Sequence, residues 1–288
     1  MKLNISLIFL LTIVGGVVSG QNKIQGYILD KQTNDPLTYA TVGALGFQYG
    51  CYADTLGIFT LYYKNENDSL KISYLGYKDI YTTVHNIKND TKIFLEPNPA
   101  LLKEVVVTPS KHKPKVMIIG FFSKRYYGVR CTSYPLNLHA TFIPFPKDGK
   151  IVFIKSIKFA YEIVSKNYPL RVKILKVNEN GEPGDDILTE NIVLGKYKPF
   201  KKHVAEIDVS KYNIIMPANG VFVALEWIMD KPPVVIDNEV GEAGPYIGLV
   251  KTTNVTTHWI GSYNQSKWHV LESKSAFSIG LTVVNYDN

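Results

Sequence analysis

The sequence predicts an all-β protein built from two β-sandwiches. Apolar and polar residues alternate with a period of two along many short runs, as in SLKISY, where Leu70, Ile72 and Tyr74 share one face. Such alternation is typical of half-buried strands. Turn-forming sequences such as Asn219-Gly220 separate the runs, and the sequence has no long helical pattern. Many short strands with regular turns favour sandwiches over mixed folds.

The first twenty residues have the layout of a cleavable secretory signal. Lys2 precedes an apolar run at residues 7–14, and small residues at 18–20 precede Gln21. A threonine and two glycines interrupt the apolar stretch, whereas a membrane-spanning helix needs roughly 20 mainly apolar residues. We therefore expect export, removal of residues 1–20 and no transmembrane segment in the mature chain.

A basic stretch that contains prolines divides the rest of the chain. Pro97 and Pro99 end the first array of strands, and the sequence SKHKPK follows a short β-branched run. Proline and charge without a hydrophobic period mark a domain boundary. The sequence thus predicts a first sandwich at residues 21–97, a linker at 98–115 and a second sandwich at 116–288.

Charge and cysteine content bound the classes of partner. The formal net charge is +7, spread along the chain, and export makes nucleic acid an unexpected partner. Local basic clusters are either solvated loops or sites of attraction to anionic glycan or lipid head groups. Cys51 and Cys131 fall in different predicted domains, so an interdomain disulfide and two unreactive thiols both stay open.

The first domain carries a specific series of motifs. IQGYILDKQTNDPLTYATV is followed in order by ADTLGIFTL, LKISYLGYKD and LLKEVVVTP. This series resembles the carboxypeptidase-regulatory-like domain, a small transthyretin-like or Ig-like sandwich of Bacteroidetes envelope proteins. Asp54 and Gly57 would form a tight turn in which the glycine takes a positive φ. The resemblance implies a non-catalytic module, and with the signal it predicts the periplasm or the outer membrane.

The strand order of the second domain resembles jelly-roll sandwiches of the carbohydrate-binding type. Its strand LRVKI sets three apolar residues against Arg171 and Lys173, which predicts one buried and one polar face. His139 is likewise expected to face solvent. Many jelly rolls bind nothing, so this resemblance names no ligand.

Aromatic residues form the candidate ligand-binding site of the second domain. They are Trp259, Tyr263 and Trp268 in HWIGSYNQSKWHV, with Trp227 nearby in the pattern. Exposed aromatic rings can stack on the apolar faces of sugars. The alternative is that these rings fill the interior of the sandwich. A glycan is therefore one predicted target, and another envelope protein is the other.

Carboxylates are the candidates for chemistry in the second domain. Asp185 and Asp186 occur near turns, as do Asp148 and Glu182, and clustered loop oxygens can hold calcium. Glu226 lies in VFVALEWI, which is mostly apolar on both faces. A buried carboxylate there could act as a general acid, but a glycosidase needs a second one at a set distance. The favoured interpretation is that Glu226 pairs with a Lys or Arg across the sheet.

The other catalytic pattern in the sequence does not predict an active site. His203 and Glu206 have the spacing of a zinc carboxypeptidase, but an offset of three along a strand places them on opposite faces. The sequence therefore predicts no catalytic residue, no metal site and no cofactor. The predicted function is that of an exported, non-enzymatic cell-envelope protein for binding or assembly. The alternative is a glycan or peptide hydrolase that uses the second domain.

Overall fold

The computed structural model describes residues 22–47, 49–98, 115–131, 136–147, 151–162, 168–195, 202–229, 235–236, 239–240, 246–262 and 268–285. Most of these residues lie in strands, the described helices are short 3-10 turns, and the predicted all-β class is confirmed. The predicted signal peptide, residues 99–114 of the predicted linker, Asp148 and Tyr263 lie outside the described residues.

Residues 22–98, which we name the N-terminal sandwich, contain seven described strands and one short 3-10 helix, Val84–Asn86. The strands are β1 (Asn22–Asp30), β2 (Thr41–Ala44), β3 (Gly50–Tyr52), β4 (Ile58–Tyr63), β5 (Ser69–Ser73), β6 (Ile80–Thr83) and β7 (Thr91–Leu95).

Two sheets form the N-terminal sandwich. One has the order β4-β1-β7, with β1 and β7 parallel, and the other has the order β3-β2-β5-β6. Their inner residues meet in one core, with Ile28 and Phe59 from the first sheet against Leu70 and Ile72 from the second. The predicted turn is present: Gly57 has a φ of +74°, and a β-carbon there would lie 2.7 Å from the Ile28 carbonyl oxygen.

Residues 115–285, which we name the C-terminal sandwich, contain the remaining described strands and a 3-10 helix, Ser210–Tyr212. The strands are β8 (Lys115–Gly120), β9 (Gly128–Cys131), β10 (Asn137–Ile143), β11 (Val152–Glu162), β12 (Leu170–Val177), β13 (Pro183–Asp186), β14 (Ile192–Leu194), β15 (Lys202–Asp208), β16 (Val221–Trp227), β17 (Val235–Ile236), β18 (Glu239–Val240), β19 (Tyr246–Ser262), β20 (His269–Phe277) and β21 (Ile279–Asn285).

The long strand β19 links the two halves of the C-terminal sandwich. The order β13-β12-β16-β10-β19-β11-β21-β8 runs through it, because β10 pairs with its C-terminal end and β11 with its N-terminal end. The main core draws on both halves, with Val172 and Val223 from one half and Phe159 and Leu281 from the other. The two halves therefore pack face to face. Burial of apolar surface stabilises this packing by about 25 cal/mol for each Å² removed from water.

The half-sheet made of β13, β12, β16, β10 and the end of β19 has a second, outer face. Leu138, Leu175 and Phe222 form a small cluster on it. By alternation, Arg171 and Lys173 also project from this face. Both are buried, with 3% and 7% of their surface exposed, because the N-terminal sandwich covers this end of the sheet. The expectation of a solvated polar face is therefore wrong for this strand.

His139 is also buried, so its predicted exposure is wrong. It lies opposite Leu225 in the β10–β16 register and contacts the ring of Phe277 edge-on, with centroids 5.6 Å apart. The reason is that β10 is a central strand: its inner face enters the main core, and its outer face carries Leu138 and Ala140.

Candidate functional site

The junction between the two sandwiches contains a buried ion pair. Arg171 on β12 lies directly opposite Glu226 on β16, and its Nη1 is 3.3 Å from the Glu226 Oε2. The Glu226 side chain is 0% exposed and that of Arg171 is 4% exposed. The predicted interpretation, that Glu226 pairs across the sheet with a basic residue, is confirmed.

Residues of the N-terminal sandwich, among them Tyr52 and Tyr39, complete this ion pair. The Tyr52 hydroxyl donates to the Glu226 Oε1 over 2.7 Å, and the Tyr52 ring lies 5.8 Å from the Arg171 guanidinium carbon. Arg171 Nη2 donates to the Tyr39 backbone carbonyl oxygen. The charges are thus held by groups from both sandwiches, which makes the junction specific, because buried charges need such partners.

Leu136 anchors the C-terminal sandwich beside this network. Its backbone N–H donates to the Tyr52 hydroxyl over 2.8 Å, and its side chain packs with Tyr52 and Ile228. Its φ of +68° is unusual for a branched side chain and is stabilised by these contacts. Gly50 leaves the space that the Leu136 side chain occupies, because a β-carbon at residue 50 would lie 2.4 Å from the Leu136 Cδ1.

A turn of the N-terminal sandwich provides a second contact. Leu75 packs against the main core of the C-terminal sandwich, although it belongs to the loop that follows β5. The next residue, Gly76, has a φ of +88°, and a β-carbon there would lie 3.4 Å from the Thr189 carbonyl oxygen. With contacts on both sides of the junction, the two sandwiches are held in one relative orientation.

A cleft of about 750 Å³ lies between these two contacts. Its volume falls in the range of small-ligand sites, roughly 300–1,000 Å³. Its lining residues come from both sandwiches and include Lys71, Ser73 and Tyr74 on one side and Lys173, Asp185 and Trp268 on the other. A second cleft of about 560 Å³ lies beside it, and Tyr74, Gly76 and Asn191 line both.

Lys173 and Asp186 form a second buried ion pair, in the cleft lining. The Lys173 Nζ is 3.2 Å from the Asp186 Oδ2, and the Asp186 Oδ1 accepts backbone N–H groups of Ile174 and Leu188. Burial raises the pKa of the Asp186 carboxyl above its ordinary value, while the Lys173 ammonium and the two N–H groups oppose that shift. These three donors also fix the orientation of the carboxylate.

The aromatic residues of the predicted site lie in different parts of the C-terminal sandwich. Trp227 is 1% exposed in the main core, so its ring faces are covered by protein. Trp259 and Trp268 are half-buried on the outer face, where Trp259 packs edge-on against Phe222. Of the three tryptophans, Trp268 lines the large cleft. A ligand-binding role for these residues stays a prediction.

The other candidate sites are also separated. His203 stacks on Tyr161, whereas Glu206 bonds to Ser156 and Lys158, so the two do not converge. Among the described residues, no three or more His, Cys, Asp and Glu side chains lie close enough together to hold a metal ion. In the same residues, no helix is both long and apolar enough to cross a bilayer.

The Cys51 thiol is free and buried, and burial raises its pKa to about 12. Because the thiolate is the reactive form, we expect native Cys51 to resist iodoacetamide at pH 8. The measurement is labelling of a Cys131→Ser variant followed by mass spectrometry, with the same variant in denaturant as the control. Modification of the native protein at the rate of the denatured protein would contradict this expectation.

Comparison with known families identifies the first part of the chain. Residues 24–107 match the model of the CarboxypepD_reg-like domain. The resemblance inferred from the N-terminal motifs is thereby confirmed for this regulatory-like domain, which covers less than a third of the chain. None of the curated proteins matches the sequence.

Two solved structures are similar to the chain at low scores. One contains the cysteine protease and lectin-like domains of Cwp84, a surface layer associated protein of Clostridium difficile; it has 11% identity and a TM-score of 0.39, over 87% of this chain and 59% of that one. The other is a DUF3823 family protein from Bacteroides ovatus, with 10% identity and a TM-score of 0.20, over 90% of this chain and 100% of that one. Scores this low carry no argument about function.

Sequence reasoning missed the junction itself. It selected Glu226, but it did not identify Tyr52, Gly50 or Leu75, which come from the other sandwich. Tyr52 lies two residues before the turn that begins at Asp54 and looks like an ordinary strand residue. One usable signal was the pair of basic residues in LRVKI, because two charges on a strand beside a mostly apolar neighbour need partners when that face is covered.

Proposed function

We propose that the protein is an exported, non-enzymatic module of the cell envelope that binds a glycan or another envelope protein. The regulatory-like domain, together with the predicted signal at residues 1–20, supports a role in the periplasm or at the outer membrane. We also propose the division into domains at residues 21–97 and 116–288, with a linker at 98–115.

The observation that carries the proposal is the cleft between two sandwiches locked by buried contacts. Its walls come from both sandwiches, and Arg171, Glu226 and Tyr52 fix their relative orientation. A concave site whose shape is set before binding loses little entropy when a ligand enters. Preorganisation of this kind favours binding and does not require chemistry.

The hydrolase alternative has one supporting observation, which is the raised pKa of Asp186 in the cleft lining. A general acid must reach the leaving group within hydrogen-bond distance. The Asp186 side chain is 6% exposed and already holds Lys173 and two backbone N–H groups. These contacts favour a structural role for Asp186, so binding is the better-supported function.

The test uses a photo-crosslinking amino acid at position 185, an exposed residue in the cleft lining, in the intact source cells. We expect a specific envelope glycan or protein to be trapped there. The matched control has the crosslinker at Leu56, which is 65% exposed and outside both clefts. Equal trapping at both positions would overturn the proposal. Release of cleaved products from the trapped molecule by the purified protein would also overturn it.

A further inference from the structure

The charged groups of the large cleft balance one another. Its lining contains three cationic side chains, Lys71, Arg171 and Lys173, and three carboxylates, Asp79, Asp185 and Asp186. Lys71 lies 2.8 Å from Asp79, Lys173 lies 3.2 Å from Asp186, and Arg171 holds Glu226. Each cation therefore already has a carboxylate partner, and the cleft offers no surplus positive charge to an anionic ligand, although the whole chain is basic.

Each sandwich contributes an aromatic side chain to the cleft. Trp268 belongs to the C-terminal sandwich and Tyr74 to the N-terminal sandwich. The Trp268 ring lies against Gly261, where a β-carbon would come within 2.5 Å of the ring, and its Nε1 donates to the Pro183 carbonyl oxygen over 3.0 Å. These contacts fix the ring, so it can accept a ligand without an ordering cost.

The polar side chains of the cleft that have no hydrogen-bond partner within the described residues include Asp185, Ser73 and Asn191. Asp185 is exposed on β13 and Ser73 is half-buried at the end of β5, so they too come from different sandwiches. One is an acceptor and the other both donates and accepts. Together with the aromatic rings, they give the combination of apolar surface and directed polar groups that defines a small-ligand site.

We propose that this cleft binds an uncharged oligosaccharide, with Trp268 and Tyr74 against sugar ring faces and Asp185 and Ser73 bonded to hydroxyl groups. This inference rests on the proposed binding function and names its target class and site. Sugars present apolar C–H faces and hydroxyl rims, which match this pairing of aromatic and polar groups. An acidic glycan is disfavoured, since Asp185 would meet its carboxylates.

An extended peptide fits the cleft less well. Peptide recognition relies on a free sheet edge for main-chain bonds or on apolar pockets for side-chain anchors. The floor of this cleft is instead a sheet face with buried ion pairs, and the edge strand that borders it, β13, has only four residues and begins with Pro183, which has no N–H to donate. The oligosaccharide is therefore the ligand class that the observations favour.

The probes are tetrasaccharides of neutral hexoses and pentoses, with tetragalacturonate as the acidic comparison, titrated by calorimetry against residues 21–288. We expect at least one neutral tetrasaccharide to bind and tetragalacturonate to bind at least about tenfold more weakly. Trp268→Ala should weaken binding of the neutral ligand at least about tenfold. Asp185→Ala, a change at an exposed position that leaves the fold intact, should weaken it about fivefold.

Tyr62→Ala is the control, because Tyr62 is an exposed aromatic residue of the N-terminal sandwich and lies outside the cleft lining. It should change the affinity by less than about twofold. Unchanged binding in both Trp268→Ala and Asp185→Ala would overturn the site while the binding function stands. Failure of every oligosaccharide to bind, with a protein trapped at position 185, would overturn the ligand class; cleavage of the bound tetrasaccharide would overturn the proposed function itself.

Discussion

Replacement of Glu226 by alanine is expected to lower the free energy of unfolding by about 3–5 kcal/mol. The substitution leaves the Arg171 guanidinium buried without its carboxylate and removes the acceptor of the Tyr52 hydroxyl. An uncompensated buried charge is costly because it has lost its hydration and gained no counter-charge. Urea denaturation of residues 21–288, followed by circular dichroism, measures the loss.

A double variant separates the lost charge balance from lost packing. Arg171→Met combined with Glu226→Leu removes both charges and retains side-chain volume, so it should be more stable than Glu226→Ala alone. Glu96→Ala is the surface control, since Glu96 is an exposed partner of Lys31 and Lys78 and its removal should have no measurable effect. A Glu226→Ala variant as stable as the wild type would show that the ion pair does not hold the junction.

The sequence was sufficient for local structure and for the pairing of Glu226. Alternation with a period of two placed Leu70 and Ile72 in their core, and the turn at Gly57 followed from its conformational freedom. Glu226 could be paired because a strand that is mostly apolar on both faces is expected to be central, and a central carboxylate needs a cation on a neighbouring strand.

Alternation could not predict which polar strand faces are covered by other parts of the protein. A period of two shows that two faces differ, but it does not show what lies against either of them. Arg171 and Lys173 are buried because another sandwich lies on their face, and His139 is buried because its strand has neighbours on both sides. Both causes are contacts between segments distant in sequence, for which one sequence holds no direct signal.

The candidate site shows the same limit. Trp259 and Trp268 are close in the sequence and share a sheet face, yet the cleft is lined by Trp268 and by Tyr74, which lies nearly 200 residues away. Trp227 was included for its residue type, and its position in the main core follows from the register of β16. A site formed between two sandwiches becomes visible once their relative orientation is known.

That orientation depends on close approach at Gly50 as well as on the ion pair. We expect Gly50→Ala to lower the free energy of unfolding by about 2–3 kcal/mol, at the upper end of overpacking effects. The new β-carbon would lie 2.4 Å from the Val42 carbonyl oxygen and 2.4 Å from the Leu136 Cδ1. The first contact strains the pairing of β2 with β3, and the second pushes Leu136 away from Tyr52.

Gly128→Ala is the matched control for this prediction, because Gly128 also begins a strand and a β-carbon there would have no neighbour within 4 Å. Combining Gly50→Ala with Leu136→Ala relieves the clash across the junction but not the clash with Val42. The double variant should therefore lose less stability than the sum of the two single variants, a coupling that urea denaturation can measure. If the stability losses of the two single variants were strictly additive, residues 50 and 136 would not be in contact. The structure would then lack one of the contacts that set the position of the cleft walls.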